Sequence, residues 1–337
     1  MNNFAYERAG SIDEAIRLRA QPGAAFIGGG TNLLDLMKGG IARPDRLIDI
    51  NRLPVRDFSQ ITQLPDGGVR IGAGASNSDA ANHPLIRARY PLLTRALLAG
   101  ASPQLRNMAT VGGNLMQRTR CYYFYDVGFQ QCNKRLPGSG CAAIGGHNRI
   151  HAILGTSASC IATHPSDMSV SLAALRATIR TRGPQGERAI AMADFHRLPG
   201  DTPHLDTNLG ESELITAVDL PPARFPQWVD YLKVRDRASY AFALVSVAAG
   251  LDIRDGVVRD AGLALGGVAH KPWRLEAAEQ ALIGQPLSDK TVQAATQVLL
   301  DGARGFGHND FKLDLAVRAI KRAVANASTA AATSTIA

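Results

Sequence analysis

The sequence predicts an α+β protein of two domains, and three observations carry that prediction. Its 337 residues exceed the roughly 100 to 200 of a single domain. Helix-like and strand-like segments alternate in the first part of the chain, whereas three strand-like runs followed by helices close it, the arrangement expected of a separate α+β unit. Pro221 and Pro222 lie between the two patterns and mark the boundary, because neither continues a helix or a central strand.

Taken in order, Ser11 and Glu14 make a capping box that starts a short helix through about Ala20. Ala24 to Ile27 is an apolar strand, Leu33 to Lys38 a helix behind a run of glycines, and Arg46 to Ile50 another strand. A second block runs from a strand at Val69 to Ile71, through a helix at Pro91 to Ala99, to strands around Ala177 to Thr181 and Leu214 to Leu220. Past the prolines come strands over Trp228 to Val234, Phe242 to Ile253 and Val257 to Leu265, then helices from about Trp273 to Asn326. The division is therefore 1–222, itself split near residue 55, followed by 223–326. The small polar residues after Ala325 predict a frayed tail over 327–337.

Composition narrows the function classes. With 45% hydrophobic and 20% charged residues, the chain has the balance of an ordinary globular protein. The net charge of +8 comes from scattered arginines, with no basic stripe along a helix, so nucleic-acid binding is not expected. The longest apolar run, Tyr240 to Leu251, is too short to cross a bilayer, and no membrane insertion is expected. Met1 to Arg8 lack the basic start and apolar core of a signal peptide, so no export signal is expected in this chain.

The four cysteines, Cys121, Cys132, Cys141 and Cys160, are confined to one segment and spaced C-x10-C-x8-C-x18-C. Four thiolates brought together suit an iron-sulfur cluster or a structural zinc, and the spacing does not choose between them. Two disulfides remain a further reading of an even count, although a core of this size needs no staples. Arg118, Arg120, Lys134, Arg135 and Arg149 crowd the same segment, suited to offsetting thiolate charge or to meeting an acidic partner.

Three loop-like stretches carry further chemistry. In Ile27-Gly28-Gly29-Gly30-Thr31-Asn32-Leu33 a strand turns into a helix, and consecutive glycines let backbone N–H groups converge on a phosphate. A Rossmann reading fails because Leu33 stands where the third glycine of that fingerprint belongs. In Ala109-Thr110-Val111-Gly112-Gly113-Asn114-Leu115 a hydroxyl and an amide flank two glycines, leaving a backbone that a flat ligand can approach. Ser166-Asp167 opens a helix over Ser169 to Arg176, where it either caps the helix or offers a carboxylate to ribose-type hydroxyls.

Together, and in this order, these stretches resemble the FAD-binding subunit of the molybdenum hydroxylases, the xanthine dehydrogenase and carbon monoxide dehydrogenase group. Tyr231 to Ala241 and Leu265 to Arg274 resemble parts of that subunit's C-terminal domain. The resemblance implies a two-part FAD-binding domain of the vanillyl-alcohol oxidase and p-cresol methylhydroxylase type, followed by an α+β C-terminal domain. In the usual pattern about ten residues separate the second motif from Ser-Asp, whereas here Asn114 and Ser166 lie 52 apart. An insertion over about 118–162 fills that gap and holds all the cysteines. This resembles bacterial aldehyde oxidoreductases, periplasmic heterotrimers whose flavoprotein subunit carries an additional 4Fe-4S cluster, and implies Cys121, Cys132, Cys141 and Cys160 as its ligands.

The resemblance further implies that Ile27 and Gly28 to Leu33 hold the FAD pyrophosphate, that Thr110, Gly113 and Asn114 line the flavin side, and that Ser166 and Asp167 take a hydroxyl-bearing part. Lys233 is implied to place positive charge near the flavin ring, an ordinary surface lysine being the plainer alternative. No catalytic residue and no molybdopterin motif is expected. The implied partners are a 2Fe-2S subunit, a molybdenum cofactor-binding subunit and an external electron acceptor. The implied location is the periplasm, reached with a signal-bearing partner, and otherwise the cytoplasm. Alternatives are the flavoprotein subunit of a 4-hydroxybenzoyl-CoA reductase-like enzyme, a stand-alone reductase of the UDP-N-acetylenolpyruvoylglucosamine reductase type, or a zinc-stapled docking module.

Overall fold

The computed structural model describes residues 1–329, and three sheets organise them. β1 (Ala5–Arg8), β2 (Ala24–Ile27) and β3 (Arg46–Asp49) pair in parallel in the order β1-β3-β2. Parallel neighbours need crossovers, and the helices Ile12–Arg19 and Leu33–Lys38 fall within them. Ser11 caps the first helix by accepting from the Glu14 N–H, while the Glu14 carboxylate accepts from the Gly10 N–H. Ala15, Ile16 and Leu18 form its buried face.

β4 (Ile61–Gln63), β5 (Val69–Gly72), β6 (Thr178–Gly183), β7 (Gly186–Ala191) and β8 (Leu214–Leu220) make an antiparallel sheet in the order β4-β5-β8-β6-β7. Asp219 on central β8 accepts from Arg70 on β5 and Arg180 on β6, so one carboxylate ties three neighbouring strands. The helices Pro91–Ala99 and Asp167–Ala174 share the core beside this sheet.

β9 (Trp228–Val234), β10 (Val245–Arg254) and β11 (Val257–Gly266) form the last sheet, antiparallel with β10 central. Alternate β10 residues serve two cores. Ala248 joins the N-terminal core with Phe225, Val229 and Tyr231, whereas Val245, Val247, Ala249 and Leu251 join a second core under the helices Asp289–Leu299 and Phe311–Thr329. A strand buried on both faces loses its polar alternation, which is why this run reads as unbroken apolar sequence. Ile153 and Leu154 of the cysteine segment lie in that second core.

The α+β class holds, with differences at element ends. The helix expected from Ser169 runs over Asp167–Ala174 because Ser166 is its N-cap, and the strand expected from Phe242 starts at Val245. β1, β4 and β7 are short strands without a continuous apolar face, a weak signal in sequence. The tail expectation needs correcting at its start: the final helix continues through Thr329 because Val324 and Ala327 are buried on its inner face. The rest of that expectation, 330–337, lies outside the described residues.

Candidate functional site: a glycine cradle beside a four-cysteine pocket

The glycine loop leaves β2 after Ile27 and enters the helix Leu33–Lys38. Gly30 has φ +70°, the left-handed region that disfavours side chains. At Gly29 a Cβ would come within 1.7 Å of the Met108 carbonyl oxygen, and at Gly28 within 3.1 Å of Thr110 Oγ1. The first and second motifs are thus pressed backbone to backbone. Asn51 completes the loop, its Nδ2 donating to the Gly28 carbonyl at 3.0 Å and to Asp49. Thr31 is exposed, and Asn32 faces the cysteine segment, accepting the Arg118 N–H at 3.1 Å. Beside the loop lies a cleft of about 480 Å³ lined by Asn51, Ser76, Asp79, Asn107, Met108 and Thr110, within the usual size range of small-molecule sites.

Thr110 caps the helix Val111–Leu115, accepting from the Gly113 N–H at 3.1 Å. Asn114 Oδ1 accepts from Ser166 Oγ at 2.6 Å, and Ser166 in turn caps its own helix. Asp167 accepts from Tyr231 Oη and Lys233 Nζ, both at 2.7 Å. Lys233 is therefore no surface lysine: its side chain is 4% exposed, and its ammonium also donates to the Ala99 carbonyl. Burial and the Asp167 charge push the Tyr231 phenol well above its ordinary value, so it remains a donor. A hydrogen-bonded and packed seam thus runs from Gly28 through Thr110, Asn114 and Ser166 to Asp167 and Lys233. Tyr231 was not singled out from sequence, although it lies two residues before Lys233 on β9 and so shares its face.

All four cysteines are free and line one small pocket with His151, Phe124, Asn133 and Lys134. Cys121, Cys132 and Cys160 are buried, and Cys132 pairs with Cys141 through an antiparallel bridge. Burial pushes the Cys121 thiol up to about 12. A hydrogen bond from Cys160 holds Cys141 down to about 6, and the same bond with burial pushes Cys160 up. Two nitrogens face the sulfurs: the Ala162 backbone N–H donates to Cys160 Sγ, and His151 Nε2 lies 3.0 Å from Cys121 Sγ. Burial and the Lys312 charge bring His151 down to about 4, so its ring is neutral. Among the described residues, no three His, Cys, Asp or Glu side chains are placed to hold a single metal ion.

The basic residues of this segment find partners within the chain. Arg118 and Lys134 pair with Asp206, Arg120 with Tyr125 and Asp35, and Arg149 with Asp236, while Arg135 donates to the Tyr123 and Phe129 carbonyls. Each of these five residues is engaged within the chain, and among them Lys134 also lines the cysteine pocket.

Two family models divide this chain between them. Residues 2–223 match the FAD binding domain in molybdopterin dehydrogenase, and residues 230–327 match the CO dehydrogenase flavoprotein C-terminal domain. The chain belongs to the FAD-binding subunits of the molybdenum hydroxylases. As a member of that family it is an oxidoreductase subunit, and the glycine cradle belongs to its FAD-binding domain. The aldehyde oxidoreductase FAD-binding subunit PaoB of Escherichia coli K12 is 53% identical over 97% of this chain and 99% of its own. The glyceraldehyde dehydrogenase medium chain of Sulfolobus acidocaldarius is 30% identical over 86% and 84%. Among solved structures, a carbon monoxide dehydrogenase from Hydrogenophaga pseudoflava superposes with a TM-score of 0.75 at 26% identity, covering 97% of this chain and 98% of that one. These likenesses span all three sheets, in keeping with the two-part FAD-binding domain and its C-terminal companion.

Proposed function

We propose that this chain is the electron-transfer FAD subunit of a heterotrimeric, molybdenum-containing aldehyde oxidoreductase, and that it holds a 4Fe-4S cluster on Cys121, Cys132, Cys141 and Cys160. Electrons come from the 2Fe-2S clusters of a partner subunit, fed by a molybdenum subunit, and leave to an external acceptor. The near full-length likeness to an aldehyde oxidoreductase FAD-binding subunit supports the substrate class. The observation that carries the cluster is the convergence of four free thiols on one pocket, which matches the ligand count of a 4Fe-4S cluster.

When bound, FAD accepts electrons singly and releases them in pairs. The chain's own residues bind and orient it. Gly28 to Leu33, with Ile27 behind them, cradle the pyrophosphate, where Gly29 lets the loop pack against the Met108 backbone and Gly30 takes the left-handed turn that shapes the cradle. Gly113, held by Thr110, and Asn114, held by Ser166, line the next stretch of the ligand. The buried Asp167–Lys233–Tyr231 set fixes the far end of the seam, with Lys233 acting as part of a neutralised pair. We place the complex in the periplasm, exported already folded with a signal-bearing partner. That reading rests on the cysteine-bearing insertion between Asn114 and Ser166, which resembles that of periplasmic enzymes, and periplasmic fractionation tests it.

Anaerobically purified chain should contain about four iron and four acid-labile sulfide atoms, as expected of four-cysteine ligation, together with bound flavin. Stoichiometric zinc, or two intact disulfides, would reject the cluster. Flavin without iron would leave a plain family flavoprotein.

A further inference from the structure

We propose that His151 tunes the cluster, donating its Nε2–H to Cys121 Sγ and so stabilising the reduced, more negative state. The proposal rests on the reading of the four cysteines as cluster ligands and adds to it a residue that is not a ligand. His151 is 1% exposed, and its Nε2 lies 3.0 Å from Cys121 Sγ. With the proton on Nδ1, the Nε2 lone pair would face a sulfur that can only accept, whereas an N–H on Nε2 points at that sulfur as a donor. A ligating cysteine is a thiolate and has no proton to donate, so in this contact the imidazole must be the donor.

The ring's position is fixed from the opposite side. The His151 N–H donates to the Asn148 carbonyl at 2.9 Å, and the His151 carbonyl accepts from Lys312 Nζ at 2.9 Å and Asn309 Nδ2 at 3.3 Å. Lys312 and Asn309 are fully buried, and Lys312 also donates to the Gly267 carbonyl. The Lys312 and Asn309 bonds tie the His151 backbone to the C-terminal domain, and the Asn148 bond ties it to its own segment. Reduction adds an electron to the cluster and raises negative charge on its sulfurs. A donor aimed at one of them favours that state and raises the potential.

The test compares the full chain with His151→Leu, which removes the donor, and His151→Gln, whose amide reaches about where the imidazole Nε2 sits. Iron, sulfide and flavin contents are measured first, then the cluster midpoint by potentiometric titration followed by electron paramagnetic resonance. With iron and flavin intact, the leucine variant should show a reduced-to-oxidised ratio about tenfold lower at the wild-type midpoint, a fall of ~59 mV for one electron, and the glutamine variant should recover most of it. An unchanged midpoint in an iron-replete leucine variant overturns the proposal. If leucine costs the cluster itself, glutamine and the shorter His151→Asn decide: a lower midpoint for asparagine alone supports the donor role, and equal midpoints overturn it. Wild-type chain without iron would instead sink the cluster reading, and the proposal with it.

Discussion

At the scale of single residues, Gly29 and Asp167 show how the structure changes the reason for an expectation. A side chain at Gly29 collides first with the Met108 carbonyl rather than with a bound phosphate. Gly29→Val should therefore pry the first and second motifs apart and lower FAD occupancy, while iron content stays near wild type because the cysteines occupy a separate pocket. Flavin and iron stoichiometry on one sample checks this, and full flavin retention would show that the cradle lies elsewhere. Asp167→Ala strips Lys233 of its partner in a buried site, which costs about 3–5 kcal/mol when one member of such a pair is removed. Thermal melting should show that loss, and Asp167→Ala combined with Lys233→Met should be more stable than the single change. The glycine motif, Ser166 and Asp167 were legible in sequence because their residue types carry backbone or charge chemistry. The Asp167–Lys233 bond was not, since it joins residues 66 apart in sequence. His151 escaped for the same reason, the thiol it contacts being 30 residues away.

At the scale of elements, the long apolar strands and the capped helices were readable, because burial on one or both faces leaves a periodic trace. The cross-strand charges of the five-stranded sheet left none. Burial works against the Asp219 charge, but its bonds to Arg70 and Arg180 outweigh that and hold the carboxyl below its ordinary value. A group with a depressed folded pKa contributes stability above its unfolded pKa, near ~4 for a carboxylate, and loses that contribution as pH falls through the lower folded value. Melting temperature should therefore decline on acidification below about pH 4, and Asp219→Asn should be less stable at neutral pH with a shallower acid decline. Identical acid profiles would mean that Asp219 contributes nothing to the pairing of β5, β8 and β6.

At the scale of the whole molecule, the cysteine segment is the joint of the fold. Its aromatic residues and thiols pack on Leu36, one helix away from the glycine cradle, while Ile153 and Leu154 sit in the C-terminal core. Asn32 reaches Arg118 from the loop itself. A group bound by the cysteines thus lies between the flavin cradle and the C-terminal sheet, a position that the spacing of four cysteines could not reveal. The central claim proposed for this chain is that it relays electrons and performs no aldehyde chemistry itself. Stopped-flow absorbance with an aromatic aldehyde, on the flavin-loaded chain with and without its 2Fe-2S and molybdenum partners, tests this most directly. The flavin should bleach only when both partners are present; rapid bleaching in the isolated chain would put the substrate site in this subunit and contradict the account.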